Sequence, residues 1–440
     1  MQYLYLILSI YFGRRNPLYF LLFPIALVSG PGAFIDPRTV LFAGDNFLIS
    51  SNVYKDIIIV YLIFIVFHLR DRWSFSLLWK TPMLIYAWYI LALIGLTFAG
   101  SGFNYNAINV MRLFAHMILG YFLLILIFST ANSKQFISFF NTLFIATGIL
   151  SICYVINSAN IFPLFYQDNM FQEIEMDEVS FFRDFATIPY FGQLLFILAL
   201  TLTLFKSKEY NRNAIYLSLI TYPFVVLYSF TRSLLGSVLF ESALIIVLLI
   251  IKSPNRILRI STLFIALAFW LILGIVQTKF ESESNYFKER VDSAKEQGSE
   301  TGNVQIRIAY VIKAYDILRA NNSLLLGDGI SKKHQQEMAA LGAYEADSTI
   351  PFFLINTGIL GVIIYYFISF YFLFRIVSQL KNLFNPFSLA LFAFMLMSMI
   401  SSIIMGGFSW GDPLIFYPFA LVITIENLYK SYHPKRLHTK

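Results

Sequence analysis

The chain has 440 residues, of which 58% are hydrophobic and only 13% are charged. Soluble domains usually carry about 25% charged residues, and one soluble core could not bury so much apolar surface. A soluble protein is therefore excluded. The net charge of +7 does not indicate nucleic-acid binding, because the basic residues are spread over alternate loops between apolar runs.

Apolar runs that approach spanning length recur along the chain, and a transmembrane helix needs about 20 residues. The runs lie at residues 17–30, 55–69, 82–99, 109–130, 135–157, 188–206, 213–229, 233–251, 258–277, 350–374, 385–404 and 412–430. Residues 1–12 are also apolar, and the sequence leaves open whether they belong to a broken first helix or lie at the interface. We therefore predict an all-α fold, a polytopic transmembrane bundle of about twelve helices.

The basic residues predict the orientation of this bundle. Lysine and arginine cluster in alternate loops from Arg14 and Arg15 to the C-terminal tail, as they do in the cytoplasmic loops of membrane proteins. Both termini are therefore expected in the cytoplasm. The chain then divides into helices 1–9 within residues 1–277, a large external loop over 278–348, and helices 10–12 with a cytoplasmic tail over 349–440.

Ionisable residues inside a membrane are costly, so they point to function. Arg112 lies near the outer start of the fourth predicted helix, with His116 one turn below it, and Arg232 opens the eighth. Snorkelling to lipid headgroups is the alternative for both arginines, although the small polar neighbours of Arg232 favour an aqueous cavity. Glu241 lies deeper on the eighth helix and is better explained by a structural partner in the bundle.

The external loop contains a segment, residues 304–320, that reads as an amphipathic helix. Its expected apolar face consists of Ile308, Val311, Ile312, Tyr315 and Leu318. Arg307 lies at the margin of this face. Asp347 stands at the start of the tenth predicted helix, where the helix dipole favours a carboxylate. A plain N-terminal cap is the simpler interpretation of Asp347.

Several short motifs follow one another in the second half of the chain. They are Thr231-Arg232-Ser233, Arg290, Arg307-Ile308-Ala309-Tyr310, Leu326-Gly327-Asp328-Gly329, Asp347-Ser348 and Asn356-Thr357-Gly358-Ile359-Leu360-Gly361. In this order and topology the chain resembles the O-antigen ligase and polymerase superfamily. The ligase pattern has a His-Asn pair where this chain has Asp347-Ser348, so the resemblance is to the polymerase branch, the Wzy-type O-antigen polymerases.

The resemblance implies a glycosyltransferase of the bacterial inner membrane, with the external loop in the periplasm. Such an enzyme transfers glycan from undecaprenyl pyrophosphate to another lipid-linked repeat unit during the biosynthesis of lipopolysaccharide or another surface polysaccharide. The implied catalytic residues are Asp347, Arg232 and Arg307, and the implied substrate-binding residues are Arg290, Arg112 and His334. Guanidinium groups would stabilise the pyrophosphate leaving group, and Asp347 would accept the proton of the acceptor hydroxyl.

An activated donor of this kind requires no ATP and no cofactor, and the scattered histidines and single Cys153 offer no metal motif. The expected partners are the lipid-linked donor and acceptor and membrane lipid. A chain-length regulator stays open as a further partner. Two other functions remain alternatives, an O-antigen ligase with a lipid A–core acceptor and a flippase or transporter. Transporters usually show repeated halves and polar groups at mid-membrane.

Overall fold

The computed structural model describes residues 2–29, 53–73, 78, 81–101, 105–158, 171–176, 179–184, 188–229, 232–252, 303–327, 349–382, 384–404, 414 and 416–432. The ninth predicted helix, at 258–277, lies outside these residues. So do Arg290, His334 and Asp347.

Helices dominate the described part of the chain. They are α1 (Gln2–Gly13), α2 (Leu22–Ser29), α3 (Val53–His68), α4 (Met83–Ser101), α5 (Tyr105–Ser129), α6 (Ser133–Ser158), α7 (Ile188–Leu204), α8 (Arg212–Tyr228), α9 (Arg232–Lys252), α10 (Asn303–Ala320), α11 (Thr349–Asn382), α12 (Pro386–Ile404) and α13 (Tyr417–Tyr432). A 3-10 helix over Pro17–Leu21 precedes α2. Apart from the ninth, every predicted span overlaps a described helix.

One short hairpin departs from the all-α prediction. Strands β1 (Phe171–Met176) and β2 (Val179–Asp184) pair antiparallel, with Phe171 opposite Asp184 and Met176 opposite Val179. The predicted spans leave this region as a connection between the runs at 135–157 and 188–206. Six-residue strands carry little periodic signal, and Phe, Ile and Val at several of these positions favour extended backbone.

The N-terminal residues form a separate helix rather than the start of a long first span. Helix α1 ends at Gly13, and the side chain of Asn16 then accepts a hydrogen bond from the backbone N–H of Leu18 to cap the 3-10 helix. The Ser9 hydroxyl donates to the carbonyls of Tyr19 and Phe20, at 2.9 Å each. This contact fixes α1 against the segment that follows it.

The apolar helices make this a membrane-embedded protein. Three of the described helices contain stretches long and apolar enough to cross a membrane: Ser133–Ile156, Leu234–Lys252 and Ile350–Lys381. Shorter apolar stretches occur at Met83–Ala99, Phe114–Ser129, Gly192–Leu204, Pro386–Ser402 and Tyr417–Leu428. The twelve-span count and the orientation stay predictions.

The chain divides into two compact units. The first comprises the described residues within 1–51, 131–296 and 382–397, and its helices α6, α7 and α8 pack together. Helix α6 begins with a reciprocal cap, in which Asn132 and Gln135 each accept the other's backbone N–H at 3.0 Å. Tyr222 of α8 stacks on Phe196 of α7, with ring centroids 5.3 Å apart.

The second unit comprises the described residues within 52–130, 297–381 and 398–440. Helix α5 lies at its centre and packs against α3, α4 and α13. The Tyr121 hydroxyl of α5 lies 2.6 Å from the Thr81 hydroxyl, just before α4. Phe372 of α11 stacks on Phe419 of α13 with centroids 4.6 Å apart. This unit holds the features that point to a function.

Candidate functional site

Helix α11 is broken at Gly358. This glycine has φ 66° and ψ −175°, which interrupts an otherwise continuous helix in its first third. In an unbroken helix the N–H groups of Ile359 and Leu360 would donate to carbonyls four residues earlier. Here they donate instead to the carbonyls of Leu324 and Leu325, at 3.0 and 3.2 Å. The turn that follows α10 therefore completes the hydrogen bonding at the break.

Two glycines make this contact sterically possible. Gly327, with φ 73°, lies so close to α11 that a Cβ atom there would stand 2.6 Å from the carbonyl oxygen of Ile355. A Cβ atom on Gly358 would collide with the carbonyl oxygen of Leu325. Both residues also adopt positive φ angles, which L side chains rarely tolerate. Each position therefore requires glycine for conformation and for space.

Helix α10 confirms the predicted amphipathic helix but packs through a different face. Its buried residues are Tyr310, Ala314, Ile317 and Leu318, which cluster with Leu354 and Ile355 of α11. Of the predicted apolar face, only Leu318 is buried, whereas Ile308, Ile312 and Tyr315 are 53%, 55% and 39% exposed. The packing face predicted from the sequence was wrong, because apolar residues cover a wider arc of this helix than the stripe that packs against α11.

Arg307 belongs to α10 and therefore to the second unit. Arg232 is the first residue of α9, as the sequence predicts, and belongs to the first unit. The catalytic roles of both arginines stay predictions. The substrate-binding roles of Arg290 and His334 stay predictions as well.

Arg112 is held in a cluster with Asp56 and His116. Arg112 donates to Asp56 twice, from Nε to Oδ1 at 3.3 Å and from Nη2 to Oδ2. The Nε2 atom of His116, one turn further along α5, lies 2.6 Å from the same Oδ1 atom. Asp56 is in the first turn of α3, where the helix dipole favours a carboxylate. The side chains of Arg112 and Asp56 are 26% and 39% exposed.

Asp56 was not predicted as a site residue, although Arg112 and His116 are one turn apart on the same helix. The available signal was an acid in the first turn of an apolar run, but such an acid also suits an ordinary helix start. The pairing gives Arg112 a protein partner, so snorkelling is not needed to explain it. His116 is almost fully buried, and its Nδ1 atom has no hydrogen-bond partner among the described residues.

The cluster lies next to the start of α11. Phe114, between Arg112 and His116 on α5, stacks on Phe352 with ring centroids 5.8 Å apart and planes 23° apart. Phe352 is in the first turn of α11, the helix that follows Asp347 in the sequence. Further along, the Tyr89 hydroxyl of α4 donates to the carbonyl of Thr357, immediately before the break. The second unit thus joins its charged cluster to the broken helix through aromatic contacts.

Glu241 has the structural partner that the sequence analysis expected. Its Oε1 atom accepts a hydrogen bond from Gln193 at 2.7 Å, and the residue is fully buried within the first unit. Its Oε2 atom has no partner among the described residues. Within the same residues, no three His, Cys, Asp or Glu side chains come together as metal ligands, so no metal site is assigned.

No model of a protein family matches the chain, and no curated protein matches it either. The resemblance to the O-antigen polymerases therefore rests on the order of the sequence motifs alone.

Proposed function

We propose that the chain is a Wzy-type polymerase. It would join undecaprenyl-pyrophosphate-linked oligosaccharide repeat units into surface polysaccharide, at the periplasmic face of a bacterial inner membrane. The observation that carries the proposal is the contact between two of the motifs that resemble the family. Gly327 and Gly358 lie in motifs far apart in the sequence, yet their backbones touch and neither position can hold a larger residue.

This contact gives the motifs a physical purpose. The turn after α10 is bonded to the break in α11, so α10 cannot slide or rotate relative to α11. Arg307 stands on α10, and Asp347 precedes the first turn of α11 by two residues in the sequence. A rigid junction of this kind suits a reaction in which a base and a cation must be held in a fixed arrangement.

The proposed reaction is a single displacement at the anomeric carbon. The acceptor hydroxyl oxygen forms a bond to C1 of the donor sugar, while the bond from C1 to the pyrophosphate oxygen breaks. The hydroxyl proton passes to the Asp347 carboxylate, and the lipid pyrophosphate leaves with the bonding electron pair. Arg232, Arg290 and Arg307 would stabilise the negative charge that grows on the leaving group.

Arg112 has a smaller part in this proposal than the resemblance implies. The Asp56 carboxylate offsets the positive charge of Arg112, so the pair attracts a pyrophosphate less strongly than an unpaired arginine would. The cluster is better suited to fixing α3 against α5 beside the start of α11. We assign Arg112 a positioning role and leave charge stabilisation to the other three arginines.

One observation favours a flippase or transporter as the second candidate. Glu241 is a fully buried carboxyl group within an apolar stretch, and polar groups at mid-membrane are typical of transporters. The deletion phenotype of the host separates these functions. Loss of a polymerase leaves single repeat units on the anchor, loss of a ligase leaves polymer on the lipid carrier, and loss of a flippase traps units inside the cell.

Substitution tests the residue roles. Arg307→Ala and Arg232→Ala should abolish polymer while the protein remains in the membrane, whereas Lys313→Ala, at an exposed cation of the same α10 helix, should leave the polymer ladder intact. Asp347→Asn keeps the capping ability of the side chain but removes its basicity, and should also abolish polymer. Normal chain lengths in the deletion strain would contradict the polymerase proposal, and wild-type ladders from these variants would contradict the assigned roles.

A further inference from the structure

We propose that the C-terminal half of α10 and the turn over residues 321–327 lie at the interface of the lipid leaflet in which α11 begins. Acyl chains of bilayer lipids would cover the apolar stripe, defined as Ile308, Ile312, Tyr315, Leu325 and Leu326. This inference does not depend on the reaction that the protein catalyses. It changes the view of this part of the external loop, which the sequence analysis places wholly outside the membrane.

The apolar stripe is exposed in the folded chain. Ile308, Ile312 and Tyr315 recur every three to four residues on one side of α10, and Leu325 and Leu326 follow in the turn, 70% and 42% exposed. The opposite side of α10 is already packed on α11. A helix with apolar residues on both of these sides needs a second apolar neighbour.

The depth of the turn follows from its hydrogen bonds. The carbonyls of Leu324 and Leu325 accept from the N–H groups of Ile359 and Leu360. Ile350 is the first residue of the apolar span in α11, and Ile359 comes nine residues later. The apolar stretch Ile350–Lys381 has 32 residues, which at 1.5 Å per residue is about 48 Å and exceeds a hydrocarbon core about 30 Å thick. The first turns of α11 therefore extend into the interface, and the turn after α10 lies near the boundary of the hydrocarbon core.

The backbone of the turn is suited to this depth. Hydrocarbon offers no hydrogen bonds, so polar backbone groups there must be paired within the protein. The N–H groups of Asn321, Ser323 and Gly327 donate to carbonyls at 3.1, 2.9 and 2.7 Å, and the carbonyls of Leu324 and Leu325 are paired with α11. The turn thus pairs these backbone groups within the protein while it exposes leucine side chains.

The neighbouring surface of α11 identifies lipid as the occupant. Exposed apolar residues continue along α11 at three- and four-residue spacing, and they are Leu360, Ile363, Phe367, Phe370 and Phe374. Because Leu360 is bonded to Leu325 through the backbone, this surface and the apolar stripe are adjacent. Lys313, Asp316 and Arg319 are also exposed on α10, and Arg319 lies within the arc of the stripe, where its long side chain can reach the headgroups. This combination gives the helix the character of an interfacial element.

The single cysteine makes a direct test possible. In a Cys153→Ala background, Leu325→Cys and Ile312→Cys would each carry a nitroxide spin label, with Lys313→Cys as the control on the same helix. The labelled proteins are reconstituted in vesicles of phosphatidylethanolamine and phosphatidylglycerol. Power saturation then measures the accessibility of each label to oxygen, which concentrates in lipid, and to a water-soluble nickel chelate.

We expect the oxygen-to-nickel accessibility ratio at positions 325 and 312 to exceed that at position 313 severalfold. High nickel accessibility at 325 and 312 would show that water covers the stripe, and low accessibility to both agents would show that protein covers it. Either result overturns the proposal. Both labelled sites are exposed, and equal elution volumes of variants and parent in gel filtration would exclude misfolding as the cause.

Discussion

The two parts of α11, on either side of Gly358, are held in different ways. The first part, Thr349–Thr357, is fixed at its end by backbone geometry, because the break depends on two glycines and on carbonyls from the turn after α10. The second part, Ile359–Asn382, is fixed by side chains. Arg375 donates to Glu426 of α13 at 2.6 Å, and Gln379 donates to the carbonyl of Val422 at 3.2 Å.

This difference predicts that substitutions in the two parts of this helix affect function and stability separately. A side-chain contact can be lost singly, and the helix then loses a limited amount of free energy. A backbone junction that requires positive φ at two places has no such tolerance, because no other residue can restore it. Two of the motifs that resemble the polymerases, those of Gly327 and Gly358, meet at the junction, whereas the ion pair of Arg375 lies more than four turns away.

The largest effect is expected from Gly358→Ala. The conformation of Gly358, with φ 66° and ψ −175°, costs a residue with a side chain about 1–3 kcal/mol, and the new Cβ atom would push the carbonyl of Leu325 away. We expect loss of polymer in cells and a lower free energy of unfolding in SDS titration. The matched control is Gly95→Ala on α4, because a Cβ atom there meets nothing within 4 Å. A polymer ladder from Gly358→Ala equal to that of Gly95→Ala would contradict the role of the junction.

Glu426→Ala should lower stability without removing activity. The change leaves the Arg375 guanidinium without its carboxylate partner at a site where the two side chains are only 19% and 16% exposed. Because the pair is only partly buried, its loss should cost about 2 kcal/mol, between the cost for an exposed pair and that for a buried one. SDS titration should show this loss, while polymer formed per amount of folded protein should not change. Loss of polymer at normal protein levels would contradict the claim that the second part of α11 contributes to stability and not to activity.

Asp56→Asn should have an intermediate effect on stability. The amide can still accept one hydrogen bond but loses the charge that pairs with Arg112. Because Asp56 is partly exposed, we expect the free energy of unfolding to fall by about 1 kcal/mol. Asp71→Asn is the matched control, since Asp71 and its partner Arg70 are 90% and 74% exposed and no measurable change is expected. Equal unfolding midpoints for the two variants would contradict a stabilising role for the pairing of Asp56 with Arg112.

The smallest expected effects come from removing one hydroxyl group in each part of α11. Tyr89→Phe removes the hydrogen bond to the Thr357 carbonyl at the break, and Tyr366→Phe removes the contact with Ser402 in the second part. Each should lower stability by about 0.6 kcal/mol, the average for polar contacts between membrane helices. Only Tyr89→Phe should also shorten the polymer. The same ladder from both variants would argue against special sensitivity at the break.

Most helices could be predicted because an apolar run of spanning length has few other solutions in a membrane protein. The run predicted at 135–157, for example, becomes the helix Ser133–Ser158. The break at Gly358 could not be predicted, because a glycine inside an apolar run is equally typical of close helix packing. Its cause is a turn that comes earlier in the chain, and only the folded structure shows the two together.

The residue types of the candidate site could be predicted from the sequence, but most of the contacts between them could not. Arg112 and His116 were singled out because charges in lipid are costly, but their partner Asp56 lies 56 residues before Arg112. Ile312 and Tyr315 of α10 were predicted on its apolar face but are exposed, since periodicity cannot distinguish a face that packs on protein from one that is left exposed. Both errors have one origin, because the partner of a side chain is a property of the fold.

The junction at Gly358 also constrains how the protein is made. The carbonyls of Leu324 and Leu325 leave the ribosome 35 residues before the N–H groups of Ile359 and Leu360 that they pair with. At about 5–20 residues per second, the acceptors wait roughly 2–7 s for their donors. During this interval α10 and its turn cannot settle at their final depth. Docking of the turn is therefore a late step of biogenesis, completed only after α11 has entered the membrane.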